Sequence, residues 1–347
     1  MEMRTETIAM LDLMQRPAFC VEGGIIRHIN PAAGRFMLTV GQPIVSLMDT
    51  GMEDYADFIG CMQLRLRIGG QLLDATVVRR DSLDIFLPDT VTAEERFRIL
   101  SLAARQLREP LTGLATLMDK LTDDASMGQA NRRMHQLLRI LSNMSDVPRF
   151  GSRDTCRMEY TEIVGFVAEI LEKAATLLET MSIRMDAQLP TEAIYTLLDR
   201  EQLERALYNL ISNAVKFSLP GNVIQVQLRS DSQRIYLSVS GQSSFASEPH
   251  AFYDRFLRDP VLEDPAHGLG LGLVLVRSMA ANHGGAVFID QPCHQCTRIT
   301  LSMAIRQQTD SMVRSPILRM DYTGERDHAL FELADVLPAE LYQPNRI

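Results

Sequence analysis

The sequence predicts an α+β protein of several domains, in the order mixed α/β domain, antiparallel helical hairpin and second α/β domain. Three observations carry this prediction. Residues 1–90 contain short strand-like runs separated by glycine turns such as Gly23-Gly24. From Thr92 the apolar period becomes 3.6, and from residue 155 helical and strand-like patterns alternate. At 347 residues, 46% of them hydrophobic, the chain is long enough for two or three domains.

Charge and composition exclude several classes of protein. A formal net charge of −9 argues against nucleic acid as a main partner, because such binding depends on Lys and Arg neutralising phosphates. No apolar run is long enough to cross a bilayer, and the N-terminus lacks a signal-peptide pattern, so we expect no membrane span and a cytoplasmic location. Five cysteines without a framework fit a reducing compartment.

Residues 1–90 predict a mixed sheet. A short helix at 8–14 precedes strands at 18–21 and 25–29, and Asn30-Pro31-Ala32-Ala33 opens another helix. Further strands are expected at 63–68, 72–78 and 83–87. The hairpin, the Asn-Pro-Ala-Ala run and the antiparallel meander resemble a PAS sensor domain. Such domains bind small ligands or mediate dimerisation, and no residue here indicates a ligand.

Residues 93–150 predict a helical hairpin. The first helix, 93–122, has an apolar stripe and a kink at Pro110; a polar link at 123–129 leads to a second helix at 134–144, and a break follows at 148–154. The stripe consists of Leu100, Ala103, Leu107, Leu111, Leu114, Leu117 and Leu121. One hairpin cannot cover both stripes, so pairing of two chains into a four-helix bundle is expected.

Residues 155–306 predict an α/β domain. Helices are expected at 163–180, 201–217 and 273–281. Strands are expected at 183–187, 193–197, 223–228, 235–239, 286–289 and 298–304. In the tail, 307–347, only 330–337 has the pattern of a packed segment.

Two motifs in this domain indicate phosphate chemistry. The run 267–273 is spaced by Gly268, Gly270 and Gly272 and leads into a helix, where bare backbone and free N–H groups suit a phosphate. Asn209, Asn213 and Lys216 are four and three residues apart, so they share one helix face. Two amides and an ammonium suit a hydrated divalent cation and its phosphates.

Together these motifs resemble those of a sensor histidine kinase with an ATP-binding domain of the Bergerat (GHKL) type. The run 209–217 resembles the N box, 252–258 the F box, and the three glycines the second glycine box. The resemblance implies a GHKL-type α/β sandwich, with ATP and Mg²⁺ as cofactors and Asn213 as a Mg²⁺ ligand. The implied nucleotide-binding set is Asn209, Asn213, Lys216, Phe217, Gly268, Gly270, Leu271 and Gly272.

The sequence departs from the family in two motifs. The run 105–112 resembles the H box, but Arg105 stands at the phosphoacceptor histidine and Gln106 at the acidic neighbour. A guanidinium has no free lone pair with which to attack a phosphate, so no catalytic residue is expected there. In the first glycine box, the aligned positions are Gly241, Ser243 and Phe245, without the carboxylate that accepts from adenine. We therefore expect weak ATP binding.

Two further candidates have ordinary explanations. His135 lies on the second stem helix with no match to the H box, so it is expected to be a packing or surface histidine. Cys293 and Cys296 form a single C-x-x-C, which is compatible with half of a zinc site or a redox pair. Without a second ligand pair, we interpret them as ordinary loop cysteines.

Three hypotheses follow for a homodimeric protein of two-component signalling and phosphorelay. The first is a degenerate kinase, or pseudokinase, that binds ATP–Mg²⁺ but cannot autophosphorylate. The second is an active ATP-dependent protein kinase with an unconventional acceptor or a partner's histidine. The third is a nucleotide-independent scaffold for a response regulator or partner kinase. Whether the chain is an enzyme, which signal and partner it serves, and what its tail does stay open.

Overall fold

A computed structural model describes residues 2–80, 82–89, 106–107, 110–111, 113–114, 124–150, 156–218, 221–242, 271–293, 296–307 and 328–343. The predictions for Arg105, Gly268 and Gly270, and those for Ser243, Phe245 and the run 252–258, lie outside the described residues.

The N-terminal part is an antiparallel sheet of five strands. Its elements are α1 (Glu2–Leu13), β1 (Phe19–Glu22), β2 (Ile25–Ile29), α2 (Met52–Tyr55), β3 (Cys61–Ile68), β4 (Gln71–Arg80) and β5 (Leu83–Pro88), in the strand order β2-β1-β5-β4-β3. The helix expected after Asn30 is a 3-10 turn, Pro31–Arg35. Asn30 caps it by accepting from the Ala33 amide, and its amide group donates to Leu11 O at 3.0 Å. This buried asparagine therefore fixes α1 to the sheet.

The second stem helix, α3 (Asp124–Phe150), is longer than the sequence predicts. The polar link expected at 123–129 is wrong from Asp124 onward, because this segment is helical and packs under the C-terminal segment at Gly128. The break expected at Pro148 is also wrong, since the helix continues to Phe150. A proline in the last turn costs only one helical hydrogen bond. The described parts of the first stem helix, which include a buried Pro110, are helical.

The second α/β domain follows the predicted order. It contains β6 (Glu159–Glu162), α4 (Ile163–Glu179), β7 (Arg184–Gln188), β8 (Tyr195–Leu198), α5 (Arg200–Phe217), β9 (Val223–Ser230), β10 (Arg234–Gln242), α6 (Leu271–Asn282), β11 (Val287–Asp290) and β12 (Cys296–Ala304). β6, which the sequence did not predict, pairs with β8. The three helices share one apolar core with the strands, and the alternating burial along β9 shows one covered face. In the tail, α7 (His328–Glu332) and a 3-10 turn, Ala339–Tyr342, pack on this domain and on α3.

The two sheets are continuous. β3 pairs antiparallel with β11, which joins all strands except β6 and β8 into one ten-stranded sheet. Beside this junction, Arg234 of β10 forms an ion pair with the buried Asp54 at 2.8 Å, and Ser302 donates to the same carboxylate at 2.9 Å. Residues 1–90 and 155–306 are therefore bound to each other directly as well as through the stem.

Candidate functional site

The start of α5 is fixed by a buried histidine. Asp199 caps the helix by accepting from the Gln202 amide at 3.1 Å, and its own amide donates to His283 Nε2 at 2.9 Å. His283 Nδ1 donates to Met279 O at 2.8 Å, which leaves Nε2 as the acceptor of a neutral ring. Burial lowers the pKa of His283 to about 4. This neutral imidazole links the end of α6 to the start of α5.

The structure brings the N box and the second glycine box together. Asn209 is 2% exposed, and its amide group donates to Arg205 O at 2.8 Å. A Cβ atom at Gly272, in the first turn of α6, would lie 2.7 Å from Asn209 Oδ1. Because Asn209 is buried and held by hydrogen bonds, it cannot easily give way, so the contact requires glycine. Gly272, the described glycine of the second glycine box, therefore lies against the N-box helix.

Lys216 and Asn213 complete this face of α5. Asn213 is half-buried, one turn after Asn209, and Lys216 follows near the end of the helix. The Lys216 Nζ atom donates to Asp335 Oδ2 of the tail at 2.9 Å. Burial lowers the pKa of Lys216, and the nearby Asp335 carboxylate opposes this shift. Phe217 ends α5, and Leu271 begins α6 next to Gly272.

A charged network that the sequence did not reveal borders the site. Arg139 of α3 donates to Asn209 Oδ1 at 3.0 Å and forms ion pairs with Asp335 and Glu332 of the tail. Arg205 of α5 forms a second ion pair with Glu332, at 3.2 Å. A sequence signal did exist in the helical spacing of the polar stripe Arg132, Gln136 and Arg139. Its partners lie more than 190 residues away, so the pattern alone could not identify them.

At the position expected to bind adenine, the structure has space for a side chain. Gly241 lies near the end of β10, and a Cβ atom there would be 3.5 Å from Ser218 Oγ and 4.0 Å from Ala214 Cβ. These are ordinary van der Waals distances, so nothing requires glycine at this position. The residue lies beside the last turn of α5, next to Ala214 and Ser218.

The remaining candidates lie away from this site or differ from expectation. His135 is buried, donates from Nδ1 to Asn131 O at 2.8 Å, and packs against Tyr342, in agreement with a packing role. Gln106 is half-buried on the first stem helix. Cys293 and Cys296 are joined by a disulfide, so the interpretation as ordinary loop cysteines is wrong, and the redox pair is the alternative with a structural counterpart. Their three-residue spacing across a strand connection brings the two sulfurs together.

Comparisons with known proteins match the part of the chain that carries these residues. A family model described as histidine kinase-, DNA gyrase B- and HSP90-like ATPase matches residues 198–307. Sensor histidine kinase WalK of Bacillus subtilis is 23% identical over 232 residues, which cover 62% of this chain and 38% of that protein. Sensor protein IrlS of Burkholderia pseudomallei is 28% identical over 207 residues, which cover 57% of this chain and 45% of that protein. This chain thus spans less than half the length of either relative.

Among solved structures, the Acinetobacter baumannii histidine kinase AdeS is similar with a TM-score of 0.45 at 17% identity, over 58% of this chain and 98% of that chain. Within the described part of the chain, no helix combines the length and the apolar character that crossing a membrane requires. The matched family model covers α5, the Gly272 turn and the strands that position them. Residues 198–307 match the GHKL-type ATPase family model, and over a larger part of its length the chain is similar to sensor histidine kinases.

Proposed function

We propose that this chain is a dimeric, degenerate histidine kinase that binds ATP–Mg²⁺ but does not phosphorylate itself. The observation that carries the proposal is the contact between Asn209 and the bare backbone of Gly272, with Lys216 on the same helix face. That arrangement offers an ammonium, an amide and a side-chain-free turn at a helix start, which together fit a Mg²⁺-bound polyphosphate.

Each residue has a separate task in this proposal. Lys216 would bind phosphate oxygens as a point charge, and Asn213 would supply an oxygen ligand to the metal ion. Gly272 would keep the start of α6, with its free N–H groups, against Asn209 of α5. ATP itself would supply a γ-phosphoryl group for transfer. Arg105 and Gln106 provide neither a nucleophile nor a proton acceptor at the H-box position, so the group would have no acceptor on this chain's stem.

The stem supports dimerisation. Leu107, Leu114, Ala130 and Leu137 pack against each other within one hairpin. Other apolar side chains of the same helices are exposed, namely Leu111 at 55%, Met127 at 37%, Met134 at 43% and Leu138 at 37%. On α3 these exposed residues are spaced by seven and four positions, which places them on one stripe. A second copy would cover this stripe in a four-helix bundle.

A nucleotide-independent scaffold is the second candidate, and one observation favours it. In this structure Lys216 and Asn209 are both engaged by protein groups, Asp335 and Arg139. A scaffold would keep these contacts permanently and present the stem to a response regulator or partner kinase. A degenerate kinase would exchange them for nucleotide.

Calorimetry with Mg-ATP on the full chain separates these candidates. We expect weak, Mg²⁺-dependent heat that Asn213→Ala abolishes. Gln225→Ala, which removes an exposed amide from the outer face of β9, should have no effect. If neither the wild type nor a variant such as Asp335→Asn, which removes the ion pair with Lys216, gives heat with millimolar Mg-ATP, the scaffold hypothesis is favoured.

A labelling experiment tests the missing acceptor. Incubation with γ-labelled ATP should leave no acid-labile phosphate on the wild-type chain. The double change Arg105→His, Gln106→Glu should restore some transfer if nucleotide is bound productively. Phosphohistidine on the wild-type chain would instead support an active kinase with an unconventional acceptor.

A further inference from the structure

The C-terminal segment 328–343 is built into the protein next to the candidate nucleotide site. Leu333, Ala334, Leu337 and Tyr342 are completely buried, and the Tyr342 hydroxyl donates to Leu330 O at 2.7 Å. The segment lies between α3 and α5, and α7 contacts both helices. It therefore forms a folded cap rather than an extended tail.

Side chains of α3 bind the backbone of this cap. Arg132 and Gln136 donate to Ala334 O at 3.3 and 3.1 Å, and Asn131 donates to Tyr342 O at 3.0 Å. A Cβ atom at Gly128 would lie 2.7 Å from the backbone oxygen of Ala339. The absence of a side chain at Gly128 thus leaves space for the backbone of the cap, and the following turns of α3 bind that backbone through hydrogen bonds.

The charges of the cap meet those of the site. Asp335 Oδ2 lies 2.9 Å from Lys216 Nζ and 2.5 Å from Arg139 Nη1. Glu332 is completely buried between Arg139 and Arg205. Burial alone would raise the pKa of Asp335, but Arg139 and Lys216 together lower it, so this carboxylate is ionised at neutral pH.

We propose that the segment 328–343 is an internal ligand of the nucleotide site, in which the Asp335 carboxylate takes the place of a nucleotide phosphate on Lys216. The docked cap and Mg-ATP then exclude each other. This inference rests on the proposed function, because it assigns the same ammonium to both anions. Two anions on one buried ammonium would repel each other in a medium of low dielectric constant.

Exclusion requires reciprocity between the two ligands. If the docked cap weakens Mg-ATP binding by some factor, Mg-ATP weakens docking of the cap by the same factor. Changes that weaken docking should therefore tighten nucleotide binding, although they replace no residue of the proposed nucleotide site itself.

Two variants of the full chain loosen the cap in different ways. Gly128→Ala strengthens the helix but crowds the backbone of the cap at Ala339. Asp335→Asn removes the ion pairs with Lys216 and Arg139. Glu340→Gln is the matched control, because it removes the same charge from an exposed position of the same segment. We expect both variants, but not the control, to bind Mg-ATP about tenfold more tightly in calorimetry, as loss of a charge-assisted contact predicts.

Hydrogen exchange provides the reciprocal measurement. Saturating Mg-ATP should increase the exchange of residues 328–343 in the wild type, while both variants should exchange rapidly without nucleotide. Equal affinities in the wild type and both variants would overturn the exclusion and leave ATP binding intact. Weaker binding in Asp335→Asn would also overturn it, since the carboxylate would then assist the bound cation. No binding by any form, including the loosened variants, would overturn the exclusion together with the proposed function.

Discussion

The buried His283 predicts a specific loss of stability in mild acid. Its pKa in the folded protein is about 4, against an ordinary value of 6.5, because burial disfavours the charged ring. The unfolded chain therefore binds the proton more readily. The stabilisation is fully present above pH 6.5 and is lost as the pH falls towards 4. The whole interval corresponds to about 3 kcal/mol of unfolding free energy, of which about 2 kcal/mol is lost by pH 5.

The variant His283→Gln isolates this contribution. A glutamine oxygen can accept the Asp199 amide hydrogen but does not titrate. We expect the variant to be less stable than the wild type at pH 7, while its further loss between pH 7 and pH 5 is smaller by about 2 kcal/mol. His28→Gln makes the same replacement at a half-buried histidine of the N-terminal sheet and controls for the change of side chain.

Urea titrations followed by circular dichroism at the two pH values give the required difference. The comparison is between variant and wild type, so the titration of other histidines cancels. If His283→Gln loses as much stability between pH 7 and pH 5 as the wild type does, the histidine is not held neutral. The proposed link between the end of α6 and Asp199, at the start of α5, would then be wrong.

Three further predictions concern the cap, the stem and the adenine position. Burial and Arg205 oppose protonation of His328, but Glu204 and Glu332 together raise its pKa above the ordinary value. Docking of the cap should therefore be strongest below pH 6.5 and weaken as the pH rises through the raised pKa, which hydrogen exchange of residues 328–343 would detect as faster exchange. The variant His328→Gln should show no such pH dependence. The variant Leu138→Lys should sediment as a folded monomer at micromolar concentration, while the control Leu13→Lys, at a site 85% exposed, should stay dimeric. If Leu138→Lys is still a dimer, the exposed apolar stripe on α3 is not the dimer interface. Gly241→Asp should tighten Mg-ATP binding about tenfold, since the position has room for a carboxylate, and unchanged calorimetry would show that the adenine lies elsewhere.

Local patterns predicted most of the elements correctly, because their signals lie in neighbouring residues. The strands β9 and β10 and the helical spacing of Asn209 and Asn213 are examples. The prediction that Cys293 and Cys296 are ordinary loop cysteines is wrong because the C-x-x-C spacing alone does not distinguish paired from free thiols.

Contacts between distant segments were beyond the reach of such patterns. The pairing of β3 with β11 joins two strands that the sequence predicts to belong to two separate sheets. The cap depends on Arg139 meeting Glu332 and Asp335, and these residues are charged, as most surface residues are. Nothing in a single sequence marks a charge that becomes buried by a segment almost 200 residues away.

Helix α6 is the element on which these long-range contacts converge. At its start, Gly272 packs against Asn209 of the proposed nucleotide site, and at its end the chain continues into His283, which holds the start of α5. Between them, Arg277 forms ion pairs with Asp74 and Asp89 of the N-terminal sheet. Removing one partner from such partly buried pairs leaves a poorly compensated charge, so they resist separation. A rearrangement of the N-terminal sheet must therefore either break these pairs or move α6, and moving α6 changes the distance between Gly272 and Asn209. The N-terminal sheet is thus tied by ion pairs to the helix that borders the proposed nucleotide site, without involving the stem.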